Sequence, residues 1–187
     1  MILKNDTKLY HGSYIEVPNP DLDKCADGKD FGKGFYLTTD IKQAERFVKS
    51  SVGKAIKNGV QIEDANRGFV SEFVFSAGKD LKIHEFTDAD VEWLHCVAAH
   101  RKKELFPKEI RKWEAYDVIT GKIANDNTNQ VITAYINGLY GQAGTERADS
   151  TAISLLMPEK LTDQICLRTK KALKAIGFVK ADEYRIV

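Results

Sequence analysis

Two short segments carry residue types from which a ligand site is built. Tyr10-His11-Gly12-Ser13 stands near the N-terminus, and Phe31-Gly32-Lys33-Gly34-Phe35-Tyr36-Leu37-Thr38 follows it. A histidine at a strand end can hydrogen-bond a ligand hydroxyl. Gly12, with no side chain to interfere, lets the backbone approach a ligand closely. Tyr36 offers a flat face to a planar ring, worth roughly 1 kcal/mol beyond the area it buries, and Gly32 and Gly34 let the backbone curve beneath it. Taken singly, each segment has a plainer reading. His-Gly-Ser is usually a turn, and Gly-Lys-Gly before two aromatics is usually a glycine turn entering a strand. Gly32-Lys33-Gly34 lacks the strand-to-helix entry and the Lys-Ser or Lys-Thr end of a phosphate loop. Combination, spacing and the helix that follows favour a site.

The elements that must position these residues follow from periodicity and punctuation. Lys8 to Ser13 reads as a strand, 15–30 as a loop, and Gly34 to Thr38 as a second strand. Thr39 or Asp40 caps a helix whose apolar residues Ile41, Ala44, Phe47, Val48, Val52 and Ile56 recur at helical spacing until Asn58-Gly59. Phe69 to Phe75 and Leu81 to Ile83 are expected to pair around Ala77-Gly78-Lys79-Asp80. Thr87 with Asp90 resembles a capping box for a helix through Trp93, Leu94 and Val97. Tyr116 to Ile119 is a strand ended by Gly121, Asn127 or Thr128 caps a helix, and a polar helix runs from about Thr145 to Leu156. Asp163 to Thr169 alternates Ile165 and Leu167 against Cys166 and Arg168, as a strand does. Lys171 to Ile176 is a short helix closed by Gly177. Strands first, then helices and strands without regular alternation, predict an α+β fold in one domain over 1–187.

Composition excludes several classes of function. Lys plus Arg number 28 against 27 Asp plus Glu, so net charge favours no polyanionic partner. Cys25, Cys96 and Cys166 are odd in number and lack Cys-x-x-Cys spacing, against a disulfide framework or a zinc site and for a reducing compartment. The N-terminus meets charge too early for a secretory signal, and no apolar run reaches a membrane span. A cytoplasmic protein, or one delivered into a target cell without a signal peptide, is expected. His84, His95 and His100, with Glu85, Glu92 and Glu104 nearby, form no metal-binding pattern, so no metal is expected.

The order His11-Gly12-Ser13, Gly34-Phe35-Tyr36, then a helix from about Asp40 resembles the opening of an NAD-dependent ADP-ribosyltransferase of the diphtheria-toxin and poly(ADP-ribose)-polymerase branch. The detailed spelling resembles an uncharacterised bacterial domain family within that superfamily, along most of the chain. The resemblance implies two packed antiparallel sheets split around an NAD cleft with flanking helices. It makes NAD the substrate, with His11 holding its ribose and Tyr36 stacking on its nicotinamide. Gly12, Ser13, Gly34 and Phe35 complete the binding set. The superfamily's third element, a polar residue often Glu at the start of a late strand, matches Gln164, with Asp163 as the rival and a plain strand-edge polar pair as the third reading. A neutral Gln holds a hydroxyl but cannot act as a carboxylate base. That favours transfer of single ADP-ribose units and leaves acceptor activation unexplained.

The implied function is a mono-ADP-ribosyltransferase acting on a macromolecule, protein or nucleic acid, as a bacterial toxin or effector with an antitoxin or immunity partner. The alternatives are a degenerate module that binds NAD, ADP-ribose or a partner without transfer, and an RNA-binding toxin module using Lys102, Lys103, Lys108, Arg111 and Lys112 beside Trp113. A solvated face is the plainer reading of that basic stretch, and core packing that of Trp93 and Trp113. Arg101 is a candidate for an NAD phosphate, against the plainer reading that it answers a helix dipole. Asp117 and Asp126 read as a backbone-satisfying side chain and a helix cap. His95-Cys96 falls short of a nucleophile pair, because adjacent helical positions point apart.

Overall fold

Asp40 begins the first helix because its carboxylate accepts a hydrogen bond from the Lys42 amide, satisfying a donor that the helix cannot. The computed structural model describes residues 2–78, 80–123, 126–156 and 161–186, and leaves the side chains of residues 126 and 127 undescribed. Seven strands are described: β1 Lys8–Ser13, β2 Phe35–Leu37, β3 Arg67–Phe75, β4 Ile83–Glu85, β5 Val118–Lys122, β6 Asp163–Leu167 and β7 Ile176–Arg185. The helices are α1 Ile41–Lys57, α2 Val91–Arg101, α3 Pro107–Trp113, α4 Asp126–Ile136, α5 Glu146–Leu156 and α6 Lys170–Leu173. The fold is α+β, with sheet orders β1-β3-β7 and β2-β6-β5-β4. All pairings within the two sheets are antiparallel except β4 with β5.

Side-chain alternation along the strands builds the layers. Leu9, Phe35, Leu37, Phe73, Phe75, Ile165 and Leu167 meet between the sheets. Tyr10 and Val70 face the other way, onto Ala44, Val48 and Val52 of α1. On the far side of the second sheet, Ile119 and Cys166 pack under Trp93, Leu94 and Val97 of α2 with Tyr135 and Ala152 of α4 and α5. The sheets touch where β1 passes β2: Tyr10 and Thr38 exchange backbone hydrogen bonds of 2.8 and 3.0 Å. Tyr10 and Thr38 also line a cleft.

Several expectations are corrected. β3 does not pair with the segment after it. Both edges of β3 are taken by β1 and β7, so β4 joins the other sheet beside β5; of the turn expected between them, Lys79 lies outside the described residues. The cap of α2 is Asp90, which accepts from the Trp93 amide, rather than Thr87. Gly121 lies inside β5 instead of ending it. A Cβ there would come within 3.2 Å of Phe31, Phe86 and Trp93, so the residue is small because aromatic rings close over it. Asn127 and Thr128 fall within α4, which begins at Asp126, so neither caps it; a capping side chain on Asp126 lies outside what is described. The helix after β6 ends at Leu173, and Ile176 and Gly177 open the ten-residue β7, which pairs along β3. Pro107 begins α3, a helix absent from the sequence reading.

Candidate functional site

His11, Tyr36 and Gln164 come from three strands and line one cleft of about 750 Å³, within the rough 300–1,000 Å³ span of small-ligand sites. Gly12, Ser13, Gly34 and Phe35 line it as well. Asp163 does not. It begins β6 outside the cleft, its Oδ1 3.2 Å from Lys122 Nζ in an ion pair whose geometry is not that of a hydrogen bond.

The alternation of β1 turns Leu9 and His11 toward the second sheet, and the His11 ring lies 4.4 Å from that of Phe35. Its Nδ1 is 2.7 Å from the Tyr36 carbonyl oxygen. A carbonyl only accepts, so Nδ1 carries the proton and the neutral ring keeps Nε2 as an acceptor. Burial lowers the His11 pKa, against the hydrogen bond to Tyr36, which raises it. Gly12 faces the opposite way, onto α1. A Cβ there would lie 2.0 Å from the Ala44 carbonyl oxygen, so the strand's approach to the helix already demands glycine. The same holds for Gly34, whose Cβ would meet Cys166 Sγ at 2.4 Å. Phe35 turns its ring into the core between the sheets, edge-on to Phe73.

Tyr36 is half-buried and does more than present a face. Its hydroxyl donates to the Gly32 carbonyl at 2.8 Å and accepts from the Phe31 amide at 2.9 Å, closing the glycine loop on itself. Burial holds its pKa well above the usual phenol range. Gly32, at φ 78°, needs the left-handed conformation that glycine adopts freely.

Two contributors carry no motif in the sequence. Asp30, buried and also on the cleft, accepts from Gln164 Nε2 at 2.8 Å and from Arg101 Nε and Nη2 at 3.0 and 2.6 Å. Arg101 therefore lines the cleft but is held by Asp30 and by Asn129 Oδ1, at 2.6 Å from Nη1. Along α1, Phe47, Ser51, Lys54, Ala55 and Asn58 form a stripe facing the cleft. Its i, i+4, i+7 spacing was visible, yet the apolar part reads as core. Phe47, 42% exposed, belongs to the cleft instead. Lys54 sits 5.2 Å from the Phe47 ring, and burial followed by the nearby Lys29 lowers its pKa.

The other candidates have structural partners. Asp117 accepts from the Lys82 amide and the Thr169 hydroxyl. His95 Nε2 is 2.9 Å from Asp149, His84 sits among Phe86, Trp113 and Tyr116, and no group of three potential metal ligands forms among the described residues. Burial pushes the Cys96 thiol well up and that of Cys166 to about 12, so neither is a ready nucleophile. Both tryptophans are fully buried. In the basic stretch Lys103 pairs with Asp27, and Lys112 with Glu92. Among the described residues no helix is long and apolar enough to cross a membrane.

The family described as "Protein of unknown function (DUF3990)" matches residues 7–178. The chain belongs to that family. The DUF3990 match takes in every cleft strand, from β1 with His11 through β2 with Tyr36 to β6 with Gln164. No curated protein and no solved structure matches the chain.

Proposed function

We propose that this DUF3990 protein is an NAD-dependent mono-ADP-ribosyltransferase that modifies a macromolecule, protein or nucleic acid, as a bacterial toxin or effector. The observation that carries the reading is the convergence of His11, Tyr36 and Gln164 from three strands on one cleft. With that activity we propose an ADP-ribosyltransferase-like fold, a pair of sheets split around an NAD site. Its support is the antiparallel bridge between Tyr10 and Thr38, which joins β1 and β2, the edge strands of the two sheets, beside the cleft.

The residues suit the chemistry. Breaking the bond between ribose C1′ and the nicotinamide nitrogen sends the bonding pair to nicotinamide, which leaves neutral, while positive charge develops on the sugar. The acceptor's nucleophilic atom then bonds to C1′ and gives up its proton to solvent water. Neutral His11 offers Nε2 to a ribose hydroxyl, and Tyr36 offers its ring to the nicotinamide. Lys29 and Lys54 supply cationic charge for the two phosphates of a dinucleotide. The basic stretch supports an RNA-binding reading less well, because two of its lysines already pair with carboxylates.

Incubation with NAD labelled in the adenylate half tests the proposal. Nicotinamide release with label retained on a macromolecule from a bacterial lysate is the expected result. NAD binding without release would make the protein a binding module, and neither binding nor release would end the NAD reading.

A further inference from the structure

Gln164 is 5% exposed, and both hydrogens of its amide nitrogen are committed within the protein. Nε2 lies 2.8 Å from Asp30 Oδ2 and 3.1 Å from the Lys122 carbonyl oxygen. A main-chain carbonyl and a carboxylate oxygen both accept, so the amide is fixed in one sense, NH2 toward these two and Oε1 away from them. Asp30 is itself anchored by two nitrogens of Arg101, and all three residues line the cleft. What Gln164 can offer a ligand there is an acceptor oxygen.

We infer that Asp30 is a positioning residue that makes Gln164 an acceptor-only group, so that the amide oxygen takes the place a carboxylate oxygen would hold against the ribose. The inference rests on the NAD reading above. The resemblance alone makes Gln164→Glu a change toward the Glu often found at that strand start, and so one expected to spare NAD hydrolysis. The Asp30 contact reverses that expectation. A carboxylate at position 164 would face another at hydrogen-bond distance, and two such groups cannot both ionise cheaply. The repulsion disappears when the partners are exchanged. An asparagine amide at position 30 can accept from Arg101 through its oxygen and donate through its nitrogen to a carboxylate at position 164.

The experiment compares the wild type, D30N, Q164E and the D30N/Q164E exchange in nicotinamide release across pH, NAD affinity and thermal unfolding. Each single variant is expected to lose about tenfold or more in kcat with NAD affinity changed much less. Q164E should regain rate as pH falls and the paired carboxylates take up a proton. The exchange should recover most of the rate at neutral pH, short of completely because the Lys122 carbonyl then faces an acceptor. Additive losses in the exchange variant, or a Q164E rate with the wild-type pH profile, overturn the inference. Were the wild type inert toward NAD, the reading above would fall, and the pairing would be judged on unfolding midpoints: non-additive recovery in the exchange supports it, additivity overturns it.

Discussion

His11 is bound to Tyr36 through the main chain, its Nδ1 2.7 Å from the Tyr36 carbonyl oxygen. One contact thus ties the two sheets together and sets the tautomer of the ring. The two roles separate in His11→Asn, whose short amide can donate to the same carbonyl but has no atom where Nε2 stood. We expect unfolding free energy within about 1 kcal/mol of wild type and NAD affinity or turnover down by roughly tenfold or more. Losses in stability that fully account for the losses in binding would make His11 a packing residue.

The Tyr36 hydroxyl changes what substitution there should do. A cleft aromatic is expected from sequence to support ligand more than fold, so Tyr36→Ala should spare the structure. The bonds to Phe31 and Gly32 argue otherwise. Tyr36→Phe keeps the ring and strands a donor and an acceptor, for a cost of about 1–3 kcal/mol. Nicotinamide release per folded molecule should then stay within a few-fold of wild type, while Tyr36→Ala loses both stability and release. Denaturant titrations beside initial rates check this. A Phe variant as stable as wild type would show that the hydroxyl does not hold the loop.

Gly12→Ala is the test of packing against chemistry at the first motif. The obstacle is backbone of α1, 2.0 Å from the new Cβ, which no rotamer change relieves. Overpacking of this kind costs typically about 1–3 kcal/mol and occasionally more. A fall in the thermal midpoint is expected whether or not NAD is present. An unchanged midpoint with lost NAD binding would return Gly12 to a purely ligand-facing role.

Much of this arrangement was legible because local rules and tertiary packing agree. Alternation along residues 163–167 put Ile165 and Leu167 together and Cys166 opposite, as in the structure. Asp40 caps its helix for the reason any aspartate does there. What was hidden is long-range. Asp30 sits in a loop, and only folding brings it to Gln164, 134 positions away. β7 is exposed at most of its residues and carries no apolar alternation to announce it. β4 found a parallel partner because β3 had no free edge, a fact of topology that no window of sequence contains.

His100 yields a prediction about pH that is independent of function. Its ring is 4% exposed, packed behind Gly32. Its Nδ1 donates to the Cys96 carbonyl at 2.8 Å, and its Nε2 accepts from Arg168 at 3.4 Å. Burial lowers its pKa to about 4, the Cys96 bond opposing and the Arg168 charge assisting, with Asp27 and Lys103 adding smaller opposed effects. The unfolded chain binds a proton near the ordinary value of 6.5 while the folded state does not until about 4. Stability therefore rises with pH across that window, is lost as pH falls through it, and levels off below. A difference of that size corresponds to at most about 3 kcal/mol. Burial lowers the pKa of His11 and His84 as well, so the measurement is a difference. His100→Gln should be less stable than wild type at pH about 7.5, and the gap should shrink by up to about 3 kcal/mol by pH about 4. Urea unfolding of both proteins across that range decides it. A gap of constant size would mean that His100 titrates alike in the folded and unfolded chain.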